Sequence, residues 1–221
     1  MNNTKGNGGL TNLIHRILNP KGAKNKLTNK RFNPEHADKL MSEERKVQLP
    51  QSKIIDYLKL TPTDKVADLG AGNGYFTIPI ARNTTNTVYA VDIEPKMLDM
   101  LKENTTKERL DNIDYVISDL EDIQLPDNAV NKVLVSLVIH EVTNLETSIN
   151  EIKRIIKPGG ELLLIEWKAI ETESGPPLDE RISSNGMIKF LNTAGFSAEA
   201  IDLNAVHYAI KAELNEGEME Y

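Results

Sequence analysis

The stretch "VADLGAGNGYFTIPIA", residues Val66 to Ala81, places Gly70, Gly72 and Gly74 directly behind a short apolar run. An apolar run followed by closely spaced glycines and a helical pattern is typical of the first strand, turn and helix of a parallel α/β sheet. Glycine in that turn lets a ligand approach the backbone N–H groups at the start of the helix. The stretch therefore predicts a ligand-binding turn at the carboxyl edge of a sheet.

Strand-like and helix-like segments alternate along most of the chain. We predict strands over residues 65–69, 87–92, 113–118, 132–137 and 161–167, and helices over residues 50–60, 75–81, 95–104, 145–156 and a segment that closes at Gly195. Two last runs, 198–203 and 206–211, are too close together for a crossover helix, so they should be antiparallel to each other. The predicted fold is α/β: a Rossmann-like, doubly wound, seven-stranded sheet, mostly parallel, with an antiparallel C-terminal hairpin.

The composition limits the class of protein. With 221 residues, of which 39% are hydrophobic, the chain is long enough for one sizeable domain. It contains no cysteine, which excludes disulfides, thiolate metal sites and thiol nucleophiles. Its longest apolar stretch, "VLVSLVI" at 133–139, is too short to cross a bilayer, and the N-terminus lacks the apolar core of a signal peptide. We expect a cytoplasmic protein without a membrane span or a bound metal.

The charge is distributed unevenly. Residues 1–34 contain seven Lys and Arg residues and no acidic residue, whereas the remainder carries 19 basic and 33 acidic residues, a net charge of −14. A basic leader suits RNA, acidic lipid or an anionic substrate, or it is a solvated, partly disordered extension. We predict an N-terminal extension over residues 1–47, partly disordered or acting as a lid, and one globular domain over residues 48–221. The total net charge of −7 makes general nucleic-acid binding unfavoured.

An acidic residue connects the glycine turn with a nucleoside. Asp92 ends the second predicted strand 18 residues after Gly74, near the offset at which a carboxylate meets ribose hydroxyls. Tyr75 stands where the dinucleotide fingerprint has its third glycine. Asp68 precedes the glycines and would repel a pyrophosphate but attract a cation. S-adenosylmethionine, which has a ribose and a sulfonium but no phosphate, fits this pattern better than NAD.

Three segments resemble a known family. "DLGAGNG", "VYAVDIEPKML" and "RIIKPGGELLLIEW" are similar to the first motif, the second-strand segment and the fifth-strand segment of the class I S-adenosylmethionine-dependent methyltransferases. The branch that the chain resembles includes the ubiquinone and menaquinone C-methyltransferases, and the resemblance covers roughly residues 48–211. It implies S-adenosylmethionine as cofactor and methyl transfer to a small-molecule acceptor by in-line displacement. The motifs do not indicate which molecule is methylated.

The resemblance also implies which residues surround the cofactor. Those at the methionine end are Asp68, Gly70, Ala71, Gly72 and Gly74. Asp92 would bind both ribose hydroxyls from an exposed position at the strand end, and Ile93 would pack on the adenine. Asp119 would meet the adenine amino group, with Leu120 beside it; a helix N-cap for Asp119 and a core position for Leu120 are the alternatives.

Candidate substrate residues follow the fourth and fifth predicted strands. His140 is a candidate general base, or a structural hydrogen-bonding residue. Trp167 is a candidate wall for a flat or cationic substrate, or a core aromatic. Arg181 lies in the long loop 168–183, a candidate lid, where it would reach an anionic group or form a surface salt bridge. The remaining residues assigned to the substrate pocket are Tyr75, Glu141 and Glu166.

Three other classes of function stay open at this point. A methyltransferase that uses the basic leader to modify RNA or protein is compatible with the sequence, and so is a cofactor-binding protein without catalysis. A nicotinamide-dependent oxidoreductase would share the sheet, but the missing third glycine and the C-terminal hairpin disfavour it. The absence of cysteine excludes a thiol-dependent arsenite methyltransferase, and the absence of an Asn-Pro-Pro-Tyr segment disfavours an amino-methylating nucleic-acid enzyme.

Overall fold

A computed structural model of the chain describes Glu35 and residues 40–215, which belong to one compact unit, Arg31–Tyr221. The predicted basic leader, residues 1–34, lies outside the described residues, and the domain boundary at residue 47 stays a prediction. None of the helices in the described part of the chain has the length and apolar character needed to cross a membrane.

The strands form one sheet. They are β1 Val66–Leu69, β2 Val88–Asp92, β3 Ile113–Ile117, β4 Val130–Ser136, β5 Ile156–Trp167, β6 Phe196–Asp202 and β7 His207–Leu214. Their order is β3-β2-β1-β4-β5-β7-β6. The first five strands in this order are parallel, and β7 is antiparallel to both β5 and β6. The predicted mostly parallel sheet with an antiparallel C-terminal hairpin is therefore confirmed.

Six α-helices accompany the strands within the described residues, and several of them begin at a capping side chain. They are α1 Glu43–Gln48, α2 Gln51–Leu58, α3 Thr77–Asn83, α4 Pro95–Lys107, α5 Leu145–Ile155 and α6 Ser184–Thr193, with short 3-10 helices at Ile139–Glu141 and Leu178–Glu180. Ser42, Asn144 and Ser183 accept hydrogen bonds from the backbone N–H groups of the first turns of α1, α5 and α6. Helix α1 falls within the segment that the sequence predicted as an extension.

Two element bounds differ from the prediction for identifiable reasons. Helix α3 begins at Thr77 rather than at residue 75 because Tyr75 and Phe76 still belong to the glycine turn. Strand β5 begins at Ile156, ahead of the Pro-Gly-Gly segment that is typical of a turn. Ile156 pairs with Val130, and the register shifts between Val130 and Lys132, so the glycines lie in an irregular stretch of the strand.

The central strands of the sheet, β1 and β4, are buried on both faces, which leaves the edge formed by the strand ends for a site. Strand β1 is buried along its whole length, and β4 is buried over residues 133–136. The carboxyl ends of β1, β2, β4 and β5 meet at one edge of the sheet. Because β7 runs the other way, its first residue, His207, pairs with Trp167, the last residue of β5. An antiparallel strand thus contributes its first residue to the edge where parallel strands contribute their last.

Candidate active site

The glycine turn after β1 is packed tightly against the segment after β4. Gly70 has φ +76°, and a Cβ atom built on it would lie 2.8 Å from Val138 Cγ1. Glycine is therefore required there both for its left-handed backbone and for the close approach of Val138. This contact places the ligand-binding turn next to the segment that carries His140.

Asp92 joins the glycine turn to the next connection along the sheet. Its Oδ2 accepts the backbone N–H of Gly72 at 2.8 Å, and its Oδ1 accepts the N–H of Glu94 at 2.9 Å. Burial raises the pKa of Asp92, partly offset by these backbone hydrogen bonds. The expectation of an exposed carboxylate is corrected: Asp92 is partly buried and organises the turn. Each carboxylate oxygen can still accept a second hydrogen bond, so the residue fits a pair of ribose hydroxyls.

Asp68 is a buried carboxylate behind the glycine turn. The hydroxyl of Thr77 donates to its Oδ2 at 2.6 Å. Burial raises the pKa of Asp68 to about 6; the Thr77 hydrogen bond and the charge of Arg45 oppose this shift, and the charge of Asp92 adds to it. A cation bound nearby would favour the ionised form, which fits the amino group or sulfonium of S-adenosylmethionine.

The residues predicted at the adenine lie on the connections after β2 and β3. Asp119 Oδ1 accepts the N–H of Glu121 at 2.9 Å, and Asp119 forms an isolated bridge with Asp122. No helix begins there within residues 40–215, so the alternative of a helix N-cap is wrong. Leu120 is buried and Ile93 is partly buried. Their contact with adenine stays a prediction.

His140 and Glu166 form a hydrogen-bonded pair at the ends of β4 and β5. His140 Nδ1 lies 2.8 Å from Glu166 Oε1 and 3.0 Å from Oε2. Just before this segment Leu137 has φ +55°, a strained conformation for leucine, which turns the chain out of β4. With Nδ1 donating to the carboxylate, Nε2 of the neutral ring is an acceptor, the arrangement that a general base needs.

The environment of His140 sets its protonation. Burial acts to lower the pKa of His140, but the hydrogen bond and charge of Glu166, with the charges of Glu141 and Glu180, outweigh burial and raise it. Glu141 also faces the ring, with its Oε1 3.9 Å from Nε2. The structure therefore brings together three residues that the sequence assigned separately to this edge.

Tyr75 lies elsewhere. Its side chain is 3% exposed, and its hydroxyl donates to the carbonyl of Leu49 at 2.8 Å. The Tyr75 ring packs edge-on against Phe76, and the Arg45 guanidinium lies 5.0 Å from the centroid of the Tyr75 ring. In contrast to its predicted place in the substrate pocket, Tyr75 is an internal residue that holds the segment from α1 to α2.

Arg181 organises its own loop. Its guanidinium donates to the carbonyl oxygens of Pro176, Lys168, Ile170 and Ser174 and to the hydroxyl of Thr172. These acceptors match the five N–H donors of an arginine. Neither predicted role of Arg181, binding an anionic group or forming a surface salt bridge, agrees with these contacts, because the donors are already engaged within the loop.

Trp167 lies between this loop and β7. The Arg181 guanidinium is 5.3 Å from its ring, and the ring of His207 is 4.3 Å away on a tilted plane. A Cβ atom on Gly175 would come within 2.8 Å of the indole, so the loop backbone rests on it. Trp167 is partly exposed, and its role as a wall of the substrate pocket stays a prediction.

Sequence reasoning missed two polar residues at this edge, Arg45 and His207. Within the residues that the structure describes, the Nε atom of Arg45 and both ring nitrogens of His207 are buried without a hydrogen-bond partner. Arg45 fell within the predicted extension, and His207 was one residue inside a predicted hairpin strand. A signal for His207 existed, since the first residue of an antiparallel strand beside β5 must lie at the carboxyl edge.

The chain is similar in sequence to known methyltransferases. Residues 67–164 match the family model described as a methyltransferase domain. The chain is 32% identical over 119 residues to the ubiquinone/menaquinone biosynthesis C-methyltransferase UbiE of Hydrogenovibrio crunogenus, covering 52% of this chain and 47% of that protein. It is 31% identical over 110 residues to the demethylmenaquinone methyltransferase of Tropheryma whipplei, covering 50% and 44%. The chain thus spans about half the length of the curated relatives it matches.

Solved structures share the fold. A SAM dependent methyltransferase from Aquifex aeolicus superposes with a TM-score of 0.77 at 26% identity, covering 83% of this chain and 100% of that chain. The [4+2]-cyclase SpnF superposes with a TM-score of 0.71 at 15% identity, covering 94% and 93%, and shows the fold alone.

The fold, the glycine turn and the matches make this chain similar to S-adenosylmethionine-dependent methyltransferases. Residues 67–164, from β1 into β5, are the part of the chain that matches the methyltransferase domain family. The cofactor that this family implies is S-adenosylmethionine, and the free acceptor positions on Asp92 and the buried carboxylate of Asp68 fit it.

Proposed function

We propose that this domain transfers a methyl group from S-adenosylmethionine to a small-molecule acceptor, with His140 as the general base. The observation that carries the proposal is the hydrogen bond of 2.8 Å between His140 Nδ1 and Glu166, next to the glycine turn. A histidine oriented by a buried carboxylate is suited to take a proton from an acceptor oxygen, nitrogen or acidic carbon.

The cofactor would lie along the glycine turn. Asp92 would bind the ribose, Asp68 would balance the positive charge of the methionine end, and Asp119, Leu120 and Ile93 would surround the adenine. When bound, S-adenosylmethionine supplies a methyl carbon on a sulfonium leaving group. The protein then has to hold the acceptor in line with that carbon and exclude water, and such positioning contributes several kcal/mol.

The proposed reaction needs only one proton transfer to a side chain, from the acceptor to His140. Glu166 keeps the imidazole of His140 oriented and stabilises the imidazolium that forms once the proton is taken. Because the pKa of His140 is raised, the neutral base is populated at higher pH than for an ordinary histidine. Trp167 and the loop organised by Arg181 form one side of the space for the acceptor.

An assay with labelled donor tests the proposal. We expect the full-length protein to transfer label from methyl-labelled S-adenosylmethionine to a component of a protein-free metabolite extract. His140→Gln should bind S-adenosylhomocysteine normally but lose most turnover, whereas the control change Glu199→Gln, on an exposed position of β6, should alter neither binding nor turnover. Binding of cofactor without transfer to any pool would contradict the function and point to another reaction on this fold, as the [4+2]-cyclase illustrates.

Modification of RNA through the basic leader is the second candidate. It is favoured only by the charge of residues 1–34, which lie outside the described residues. Label that appears in RNA rather than in the metabolite pool, and disappears after deletion of residues 1–34, would support it. A cytoplasmic location likewise stays a prediction.

A further inference from the structure

His207 is a buried side chain whose ring nitrogens form no hydrogen bond within the described part of the chain. It is 1% exposed, and neither Nδ1 nor Nε2 has a hydrogen-bond partner among residues 40–215. Leaving buried donors and acceptors unpaired destabilises a fold, so such groups call for a physical reason. The tilted contact with Trp167 at 4.3 Å uses the face of the ring and leaves both nitrogens unused.

Arg45 is a second unsatisfied group on the same side. Its Nε is buried without a hydrogen-bond partner in the described part of the chain, and its guanidinium lies 5.0 Å from the centroid of the Tyr75 ring. Asn204 connects α1, the helix that contains Arg45, to His207. The Asn204 amide donates to the carbonyl of Gln48 at 2.6 Å, and Asn204 Oδ1 accepts the backbone N–H of His207 at 2.9 Å. The end of α1 and the start of β7 are thus joined.

The charges around His207 favour a negative ligand. Burial, and then the positive charges of Arg45, Arg181 and Lys168, lower the pKa of His207 to about 4, so the ring is neutral near pH 7. A neutral imidazole offers one donor and one acceptor. Lys168 pairs with Asp202 at 2.7 Å, and the donors of Arg181 are bound within its loop. Among these three cations of the described residues, Arg45 is therefore the one with a buried donor that forms no hydrogen bond.

We propose that Arg45 and His207 bind an acidic group of the methyl acceptor, so that the acceptor is an organic acid carrying a carboxylate or a similar oxyanion. Arginine suits this role because its planar donors match the oxygens of an oxyanion. The position agrees with it, since Trp167, beside His207, ends the same strand that carries Glu166. This assignment rests on the proposed methyl transfer and adds the class of acceptor to it.

Each of the two residues has an alternative role with its own consequence. If His207 only packs on Trp167, removing its nitrogens should leave the acceptor KM unchanged. If Arg45 instead binds the carboxylate of the cofactor's methionine end, its removal should weaken S-adenosylhomocysteine binding.

The first experiment separates the acceptors by charge. A metabolite extract is divided by anion exchange at pH 7 into acidic and non-acidic pools, and each pool is assayed with the full-length protein and methyl-labelled S-adenosylmethionine. We expect acceptor activity in the acidic pool. Activity confined to the non-acidic pool would overturn the assignment while leaving the proposed function intact. No transfer from either pool, with normal cofactor binding, would overturn both.

The second experiment uses variants on the active pool. Arg45→Met and His207→Phe should each raise the apparent KM for the acidic pool at least tenfold, with the dissociation constant of S-adenosylhomocysteine within threefold of wild type. His207→Phe should melt at the same temperature as wild type or higher, because an unpaired imidazole is replaced by a ring that still packs on Trp167. Lys46→Met, an exposed neighbour on α1, is the matched control and should behave as wild type. Unchanged KM in both variants, or a tenfold loss of cofactor affinity in Arg45→Met, would overturn the assignment.

Discussion

The backbone N–H of Gly72 donates to Asp92 Oδ2 at 2.8 Å, so the turn after β1 and the end of β2 are held together by the same carboxylate that is proposed to bind the ribose. Asp92 therefore has a structural task before any ligand arrives. A change at this position should affect both the fold and the cofactor.

Asp92→Ala should weaken binding of S-adenosylmethionine roughly 10- to 150-fold, because hydrogen bonds to a charged acceptor contribute about 1.5–3 kcal/mol. It should also lower the free energy of unfolding by about 1 kcal/mol, because the N–H groups of Gly72 and Glu94 lose their acceptor. Calorimetry and denaturant unfolding measure the two effects. Asp114→Ala, on an exposed position of β3, controls for the loss of one negative charge. A wild-type dissociation constant would mean that the ribose binds elsewhere.

Asp68→Asn should make the unliganded protein more stable at neutral pH. The pKa of Asp68 is raised from 3.8 to about 6, so the carboxyl contributes stability below pH 3.8 that is lost as the pH rises through about 6. The loss is on the order of 3 kcal/mol at about 1.4 kcal/mol per pKa unit. Unfolding curves of both proteins from pH 4 to 8 should diverge over this window. Parallel curves would show that Asp68 titrates normally.

The same Asp68→Asn variant should bind S-adenosylmethionine more weakly than wild type, because the attraction between the carboxylate and the cationic end of the cofactor is lost. Sinefungin, a nucleoside analogue with an amine in place of the sulfonium, serves as a second charged probe. An equal or higher affinity for either compound would contradict the placement of the methionine end beside Asp68.

The rate should depend on pH through His140. Because its pKa is raised, turnover should increase with pH and level off only above the ordinary value of 6.5. Glu166→Gln removes the charge that raises this pKa, so the limb of the profile should move to lower pH while the maximal rate falls. The paired charge also stabilises the fold below pH 6.5, and this contribution is lost as the pH rises through the folded-state pKa. A profile that stays in place in Glu166→Gln would exclude His140 as the titrating base.

Gly70→Ala should disturb the segment that carries His140. The added Cβ would meet Val138 Cγ1 at 2.8 Å, and the φ of +76° is strained for alanine, so unfolding free energy should fall by about 1–3 kcal/mol. Val138→Ala combined with Gly70→Ala removes the clash but not the backbone strain, and should restore part of the stability. If the double variant is as unstable as the sum of the two single changes, the contact between them is not the cause.

The alternation of strands and helices made the sheet predictable, because hydrophobic periodicity and glycine turns are local properties of the sequence. Asp92 and Asp68 could be predicted as cofactor residues for the same reason, since their distance from the glycines is fixed along the chain; this prediction awaits the binding measurements above. The hydrogen bond from the Gly72 N–H to Asp92 could not be inferred from residue spacing. Arg181 and His207 show most clearly what the sequence could not predict. The guanidinium of Arg181 is hydrogen-bonded to its own loop, and the ring nitrogens of His207 form no hydrogen bond among the described residues. Both outcomes depend on tertiary contacts.

Trp167 is the only tryptophan in the chain, and it touches the loop on one side and His207 on the other. Its intrinsic fluorescence therefore reports on the pocket, because no other tryptophan contributes to the emission. Neutral histidine and its protonated form quench indole to different extents, so the fluorescence should report His207 as well as the position of the loop. A compound library can consequently be screened for pocket occupancy on the unlabelled protein, before any methyl acceptor has been identified.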